Sequence, residues 1–163
     1  MSATGLLLLR LGLGIVSVTH GLHTLFGVMG GPGSGVGPGG LRQAGAQFTA
    51  MGLPGGFLIA VLAGIAQLAG GLLLVTGYLT RWAAVALAAL TAILAWKSQA
   101  PWGFFLNWVL EPGRGHGIEF SVVLFAAYLC LALTGGGDWS LDGGRAKKRS
   151  NVAAGRARLR GRA

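Results

Sequence analysis

The side chains of this 163-residue chain that could do chemistry are few, and they sit inside or beside long apolar runs. His20 and His23 are three residues apart, a spacing that puts both on one helix face. Counted from Leu6 at 1.5 Å per residue, they lie about 21 and 26 Å along their run, in its far third. His116 and Glu119 form a second pair with the same spacing. Lys97 ends another apolar run, and Gln67 lies near the middle of a third. All but Gln67 fall at one depth. Polar groups inside apolar segments are costly to bury and are functional candidates by default. If the helices carrying the two pairs are neighbours, HxxH and HxxE could face each other. Two His and a carboxylate suit zinc or non-haem iron, and facing i, i+3 pairs are how helical bundles build metal sites. The same groups also suit a polar pocket for a substrate, a quinone head or a partner. They equally suit plain hydrogen bonding to carbonyls, tryptophans and water, with Glu119 at a helix start where its charge fits the dipole. The residues leave all three open; no metal ligand and no catalytic residue is assigned.

A second set of charges lies at the opposite depth. Arg10 is about one turn inside its apolar run, level with Arg81, Asp138 and Asp142. It either snorkels toward headgroups or pairs with Asp138 or Asp142. Cys130 is the only cysteine, so no disulfide forms, and its apolar setting makes a redox role improbable. There is no nucleophile triad, GxxxxGK loop, CxxC or CxxCH.

The elements that carry these residues follow from composition. Hydrophobic residues make up 53% of the chain and charged residues 10%, which excludes a disordered chain and disfavours a soluble domain. Four apolar stretches read as transmembrane helices, because only a helix satisfies its own backbone in lipid. They run over about 6–28, 55–79, 82–96 (extending toward 100) and 117–134. The second has no charge over its length, about 37 Å of helix against a hydrocarbon core of roughly 30 Å. The first lacks the basic start and small-residue cleavage site of a signal peptide. The fold class is therefore all-α, an integral membrane four-helix bundle. Alanine and glycine ladders (Ala84, Ala88 and Ala92; Ala60 with Gly64; Ala66 with Gly70) are expected to let the helices approach closely. The GGPGSGVGPGG run over 30–40 predicts a flexible loop, followed by a short helix over 41–51.

The net charge of +9 is unevenly placed. Eight of the 13 Lys and Arg lie in 143–163, a segment with no acid, while residues 1–142 carry five bases and four acids. The division is thus a transmembrane domain over 1–142 and a basic tail over 143–163, for which the composition predicts disorder. Four spans put both termini on one side with Arg81 and the tail, and positive charge favours the cytoplasm. The expectation is a multi-pass inner-membrane protein with both termini inside. Trp96, Trp102 and Trp108 would mark the outer boundary, and Tyr78, Trp82 and Trp139 the inner one. The tail anchors the topology and attracts anionic headgroups; without interleaved aromatics, nucleic acid is not an expected partner.

Several segments together resemble the DoxX family of membrane proteins. They are RLGLG from Arg10, HG at His20, LFG at Leu25 and FTAMGLP from Phe48. After them come LAGIAQLAGGLLLVTGYLTR from Leu62, GFF from Gly103, GHGIEF from Gly115 and GGGDWSLD from Gly135. The resemblance covers about residues 6–142 and implies a four-helix inner-membrane bundle of the DoxX/DoxD type. It further implies a subunit or accessory of a membrane-associated oxidoreductase complex, quinone-linked or thiol- and sulfur-linked. DoxD-type relatives belong to a thiosulfate:quinone oxidoreductase. A quinone is the cofactor so implied, and other protein subunits are the implied partners, with a homo-oligomer allowed. The polar positions matching the family are Arg10, His20, Arg81 and Glu119. The chain departs from the family at Gln67, Thr24 and Gln99, where Glu, Lys and His are common, and each departure removes a titratable group. The other classes to weigh are a non-catalytic scaffold that assembles partner proteins and a small transporter.

Overall fold

The computed structural model describes residues 2–31 and 37–160, with side chains to 154. Helix α1 spans Ala3–Phe26, opened by Ser2, whose Oγ accepts the Gly5 N–H at 3.1 Å, and closed by Gly27 in the left-handed region. After it come α2 (Gly40–Ala50), α3 (Gly56–Thr76) and α4 (Thr80–Leu94). The path of α4 continues through a π turn, Ala95–Gln99, and a 3₁₀ turn, Ala100–Trp102. Helix α5 spans Glu119–Thr134 and α6 spans Leu141–Arg160. Glycines set the stops: Gly27 and Gly77 each adopt φ near 70° and return their N–H to the helix just ended. The predicted spans are therefore trimmed, the first from 28 to 26 and the second from 79 to 76. The predicted glycine-rich loop falls largely on 32–36, outside the described residues.

Ala3–Phe26, Gly56–Thr76 and Thr80–Trp102 are each long and apolar enough to cross a membrane, and α5 is a shorter apolar helix. Among the described residues there is no strand. The chain is an all-helical membrane bundle. Its outer faces are apolar, with Leu8, Ile15, Leu62, Ile65 and Val123 exposed, as lipid contact requires.

The helices form a ring in the order α1, α3, α4, α5, closed by contact of α5 with α1. Leu13, Leu74, Leu87, Tyr128 and Leu131 meet at its centre. The short helix predicted over 41–51 is α2; it lays Phe48 on Ala60 and Ala63 of α3. Of the predicted ladders, Ala60, Gly64, Gly70, Ala84 and Ala88 are buried, whereas Ala92 is exposed. The closest approach belongs to a different set. Gly14 and Gly21 of α1 lie against Gly71 and Leu68 of α3, so close that a Cβ on any of these glycines would meet opposing backbone.

Where composition predicts disorder over 143–163, the chain is helical to Arg160. Its Ala, Arg and Lys are strong helix formers, so local propensity favours the helix even with no apolar face to bury. The Arg145 guanidinium lies 4.6 Å above the Tyr78 ring, tying the first turns of α6 to the turn between α3 and α4. Residues 161–163 are outside the described part.

Candidate functional site

Within the ring, toward the ends of α1 and α4 that carry His20 and Gln99, lies a cavity of about 170 Å³. Four apolar helices would be expected to enclose only hydrocarbon, yet every one of them sends a polar side chain to it: Ser17 and His20 from α1, Gln67 from α3, Thr91 from α4, and Ser121 and Tyr128 from α5. Gln99 adds another from the π turn. Leucines, Val16 and Phe120 fill the remaining wall. No carboxylate, lysine or arginine lines the cavity.

The hydrogen bonds decide which groups remain to meet a ligand. Ser17 donates its hydroxyl to Leu13 O at 2.8 Å. Its 2.6 Å bond to the Tyr128 hydroxyl must then run from tyrosine to serine, since a serine has one proton to give. This buried pair is the link by which α5 closes the ring onto α1. Thr91 gives its hydroxyl to Leu87 O at 2.8 Å. Ser121 donates to Gln99 Oε1 at 2.7 Å, and Thr24 to Gln67 Oε1 at 3.5 Å. Both glutamines thus have their carbonyls occupied and their NH₂ donors left over. With the His20 imidazole, the cavity offers donors to a neutral acceptor inside an apolar shell. The π turn has a role here. Its wider winding carries Gln99 to Ser121, and such irregular turns cluster at functional positions.

The predicted residues divide. The cavity unites His20 and Gln67 and leaves His23, Lys97, His116 and Glu119 outside. His23 contacts Val28 O through Nδ1 at 3.2 Å and holds the turn after α1. Lys97 is exposed on the π turn. Glu119 accepts the Leu106 N–H at 3.1 Å, and His116 Nδ1 accepts the Asn107 N–H at 3.2 Å. Both organise the loop 103–118, whose hub is buried Asn107, bonded to Glu111 and to Arg114 O. The facing of HxxH and HxxE is therefore not formed. Helices α1 and α5 meet at Ser17 and Tyr128, and Glu119 turns back to its own loop. Among the described residues no three His, Cys, Asp or Glu gather into a group able to hold a metal.

Tyr128 and Ser17 could have been flagged from the sequence. Tyrosine belongs at membrane interfaces, and one nine residues into an apolar helix needs a buried partner. Ser17 is three residues before His20, on the same face.

At the other end, Arg10 is 1% exposed. It neither reaches headgroups nor forms an ion pair; Nη2 donates to Trp139 O at 2.7 Å, and Nε and Nη1 have no partner. The Asp142 carboxylate acts on Arg10 only through space, and it accepts the N–H groups of Leu79 and Thr80 at 3.1 and 2.9 Å. That places a negative charge at the start of α4, where the dipole favours it. Asp138 is exposed, and among the described residues the sole ion pair is Arg114 with Glu111 at 3.4 Å. Asp142→Ala is expected to lower stability by about 1–2 kcal/mol, as loss of a helix cap does, and Asp142→Asn by part of that, since an amide keeps one acceptor oxygen for the two N–H groups. Thermal melting of the three proteins in detergent checks this, and equal melting of all three would remove the capping role.

A protein-family model, DoxX, matches residues 5–100, from α1 to the start of the 3₁₀ turn after the π turn. No curated protein and no solved structure matches the chain.

Proposed function

The chain belongs to the DoxX family, and from that premise we propose that it is an inner-membrane subunit or accessory of an oxidoreductase complex, holding the head of a quinone-class ligand in the bundle cavity. The observation that carries this reading is the convergence of Gln67, Gln99, His20 and Tyr128 on one otherwise apolar space. A quinone ring is apolar on its faces and has two carbonyl acceptors at its edge, which is the complement of spare amide and imidazole donors in hydrocarbon. A volume of about 170 Å³ suits one small ring rather than a whole drug-sized molecule. On this reading electrons come from a partner subunit, and this chain holds and orients the acceptor. The termini are cytoplasmic, which is supported by the basic residues of α6 and Arg81 lying at one end.

The test is organic extraction of the protein purified from its membrane, followed by absorption and mass spectra of the extract. A redox-active quinone present near one per chain, and lost in Gln67→Leu, is expected. An extract without quinone, or an equal amount from Gln67→Leu, contradicts the proposal.

A further inference from the structure

At the end of the bundle opposite the cavity, a groove of about 410 Å³ opens between the start of α4 and the segment joining α5 to α6. We propose that this groove seats the phosphate of an anionic phospholipid, with Arg81 as the principal contact. Arg81 lines it with an exposed side chain, and it is not engaged in an ion pair among the described residues. The one carboxylate in the wall, Asp142, is already occupied by two backbone N–H groups. Arg145 and Arg149 line an adjoining groove that shares Leu79, Asp142 and Ala146 with the first. The local balance is therefore positive.

The floor is built for an anion as well. Gly135, Gly136 and Gly137 line the groove with bare backbone, and Gly135 and Gly137 adopt φ of 78° and 74°. Gly135 gives its N–H to Leu131 O, but the N–H groups of Gly136 and Gly137 have no partner among the described residues. Two adjacent main-chain N–H groups without partners are donors available to an anion. A side chain at Gly136 is excluded, because its Cβ would meet Thr80 Oγ1 at 2.6 Å and Ser140 Cβ at 2.8 Å. The hydroxyls of Thr134 and Ser140 are spent on Cys130 O and Gly137 O, which leaves recognition to Arg81 and the glycine N–H groups.

A free phosphate offers the same chemistry as a lipid phosphodiester. The lipid is favoured by place. Trp82 forms part of the wall and is 75% exposed, a residue type that sits at headgroup level while acyl chains run along apolar helices below. The site differs from the diffuse attraction of α6, which any anionic surface would satisfy. It is independent of the quinone reading, and either can fail alone.

The experiment is native mass spectrometry of the full chain in detergent, titrated with phosphatidylglycerol and with phosphatidylcholine. Wild type is expected to retain phosphatidylglycerol roughly tenfold more strongly, the scale of a charge-assisted contact. Arg81→Gln abolishes that preference, Arg81→Lys keeps part of it, and Lys147→Gln with Lys148→Gln leaves it intact. Should Arg81→Gln not fold, the partial loss in Arg81→Lys carries the test, since lysine keeps the charge without the guanidinium fork. The proposal is overturned if retention is equal for both lipids, if Arg81→Gln and Arg81→Lys match wild type, or if only the lysine pair on α6 matters. Displacement of the lipid by excess inorganic phosphate overturns the lipid assignment in favour of a free-anion site.

Discussion

Gly21→Leu is expected to leave almost no monodisperse, cooperatively melting protein. The Cβ of any residue at 21 would sit 2.5 Å from Leu68 N and 2.8 Å from Leu68 Cα, and backbone cannot step aside as a side-chain tip can. The neighbours repeat the contact, with Gly14 against Gly71 O at 2.9 Å and Gly71 against Val18 N at 2.7 Å. Positions 14 and 21 are two helical turns apart, as are 64 and 71, so one seam of small residues runs along both helices. In lipid no hydrophobic effect draws helices together, and close packing must supply the attraction. Overpacking costs about 1–3 kcal/mol even where neighbours can adjust. Here it forces α1 off α3 along its length, against a total stability of order 5–15 kcal/mol. Gly12→Ala is the matched control. Nothing lies within 4 Å of a Cβ there, and alanine gains up to about 1 kcal/mol of helix propensity. Size-exclusion profiles and melting in detergent decide the matter. Wild-type behaviour of Gly21→Leu would mean that α1 and α3 do not meet at these residues.

Arg10→Ala is expected to be the most damaging truncation at the other end, and Arg10→Met to be mild. The side chain fills the space under the strap 135–142, against Gly77 and Ser140, and anchors Trp139 O. Emptying that space costs about 3–5 kcal/mol, by the scale of the largest core truncations. Leaving Trp139 O without a donor adds about 1–3 kcal/mol. Methionine keeps most of the volume and removes a buried charge whose Nε and Nη1 have no partner, so its main cost is the donor lost at Trp139 O. The expected order is therefore wild type, then Met lower by that one hydrogen bond, with Ala far below, in melting temperature and in resistance to proteolysis after Gly135. Equal damage from Met and Ala would assign the role to the charge rather than to the packing.

Depth along a helix was legible from the sequence, and rotation about it was not. Counting residues puts His20, Lys97, His116 and Glu119 at one level. Which of them face each other depends on the neighbours of each helix, and these are fixed by glycine seams formed on folding. Glu119 illustrates the limit. It opens α5 as its position suggests, but its carboxylate bonds Leu106 of its own loop and never meets α1. Arg10 lies beside GGGDWSLD, as its depth suggests, and its hydrogen bond goes to the Trp139 carbonyl. The missing fact was that Asp142 caps α4, a contact across 62 residues that no local pattern carries. The spans themselves were plain because hydropathy and glycine stops are local. The tail helix was also open to a reading from its Ala, Arg and Lys, which composition alone outweighs.

The cavity and the His116–Glu119 pair make different demands on one measurement, the binding of a short-chain benzoquinone to the purified protein followed by tryptophan quenching. A ligand held by the bundle cavity predicts that Gln67→Leu weakens binding about tenfold, the scale of one buried hydrogen bond to a ligand, while Glu119→Gln and His116→Ala bind as wild type. Unchanged binding in Gln67→Leu together with loss in Glu119→Gln would contradict it and move the site to the His116–Glu119 pair.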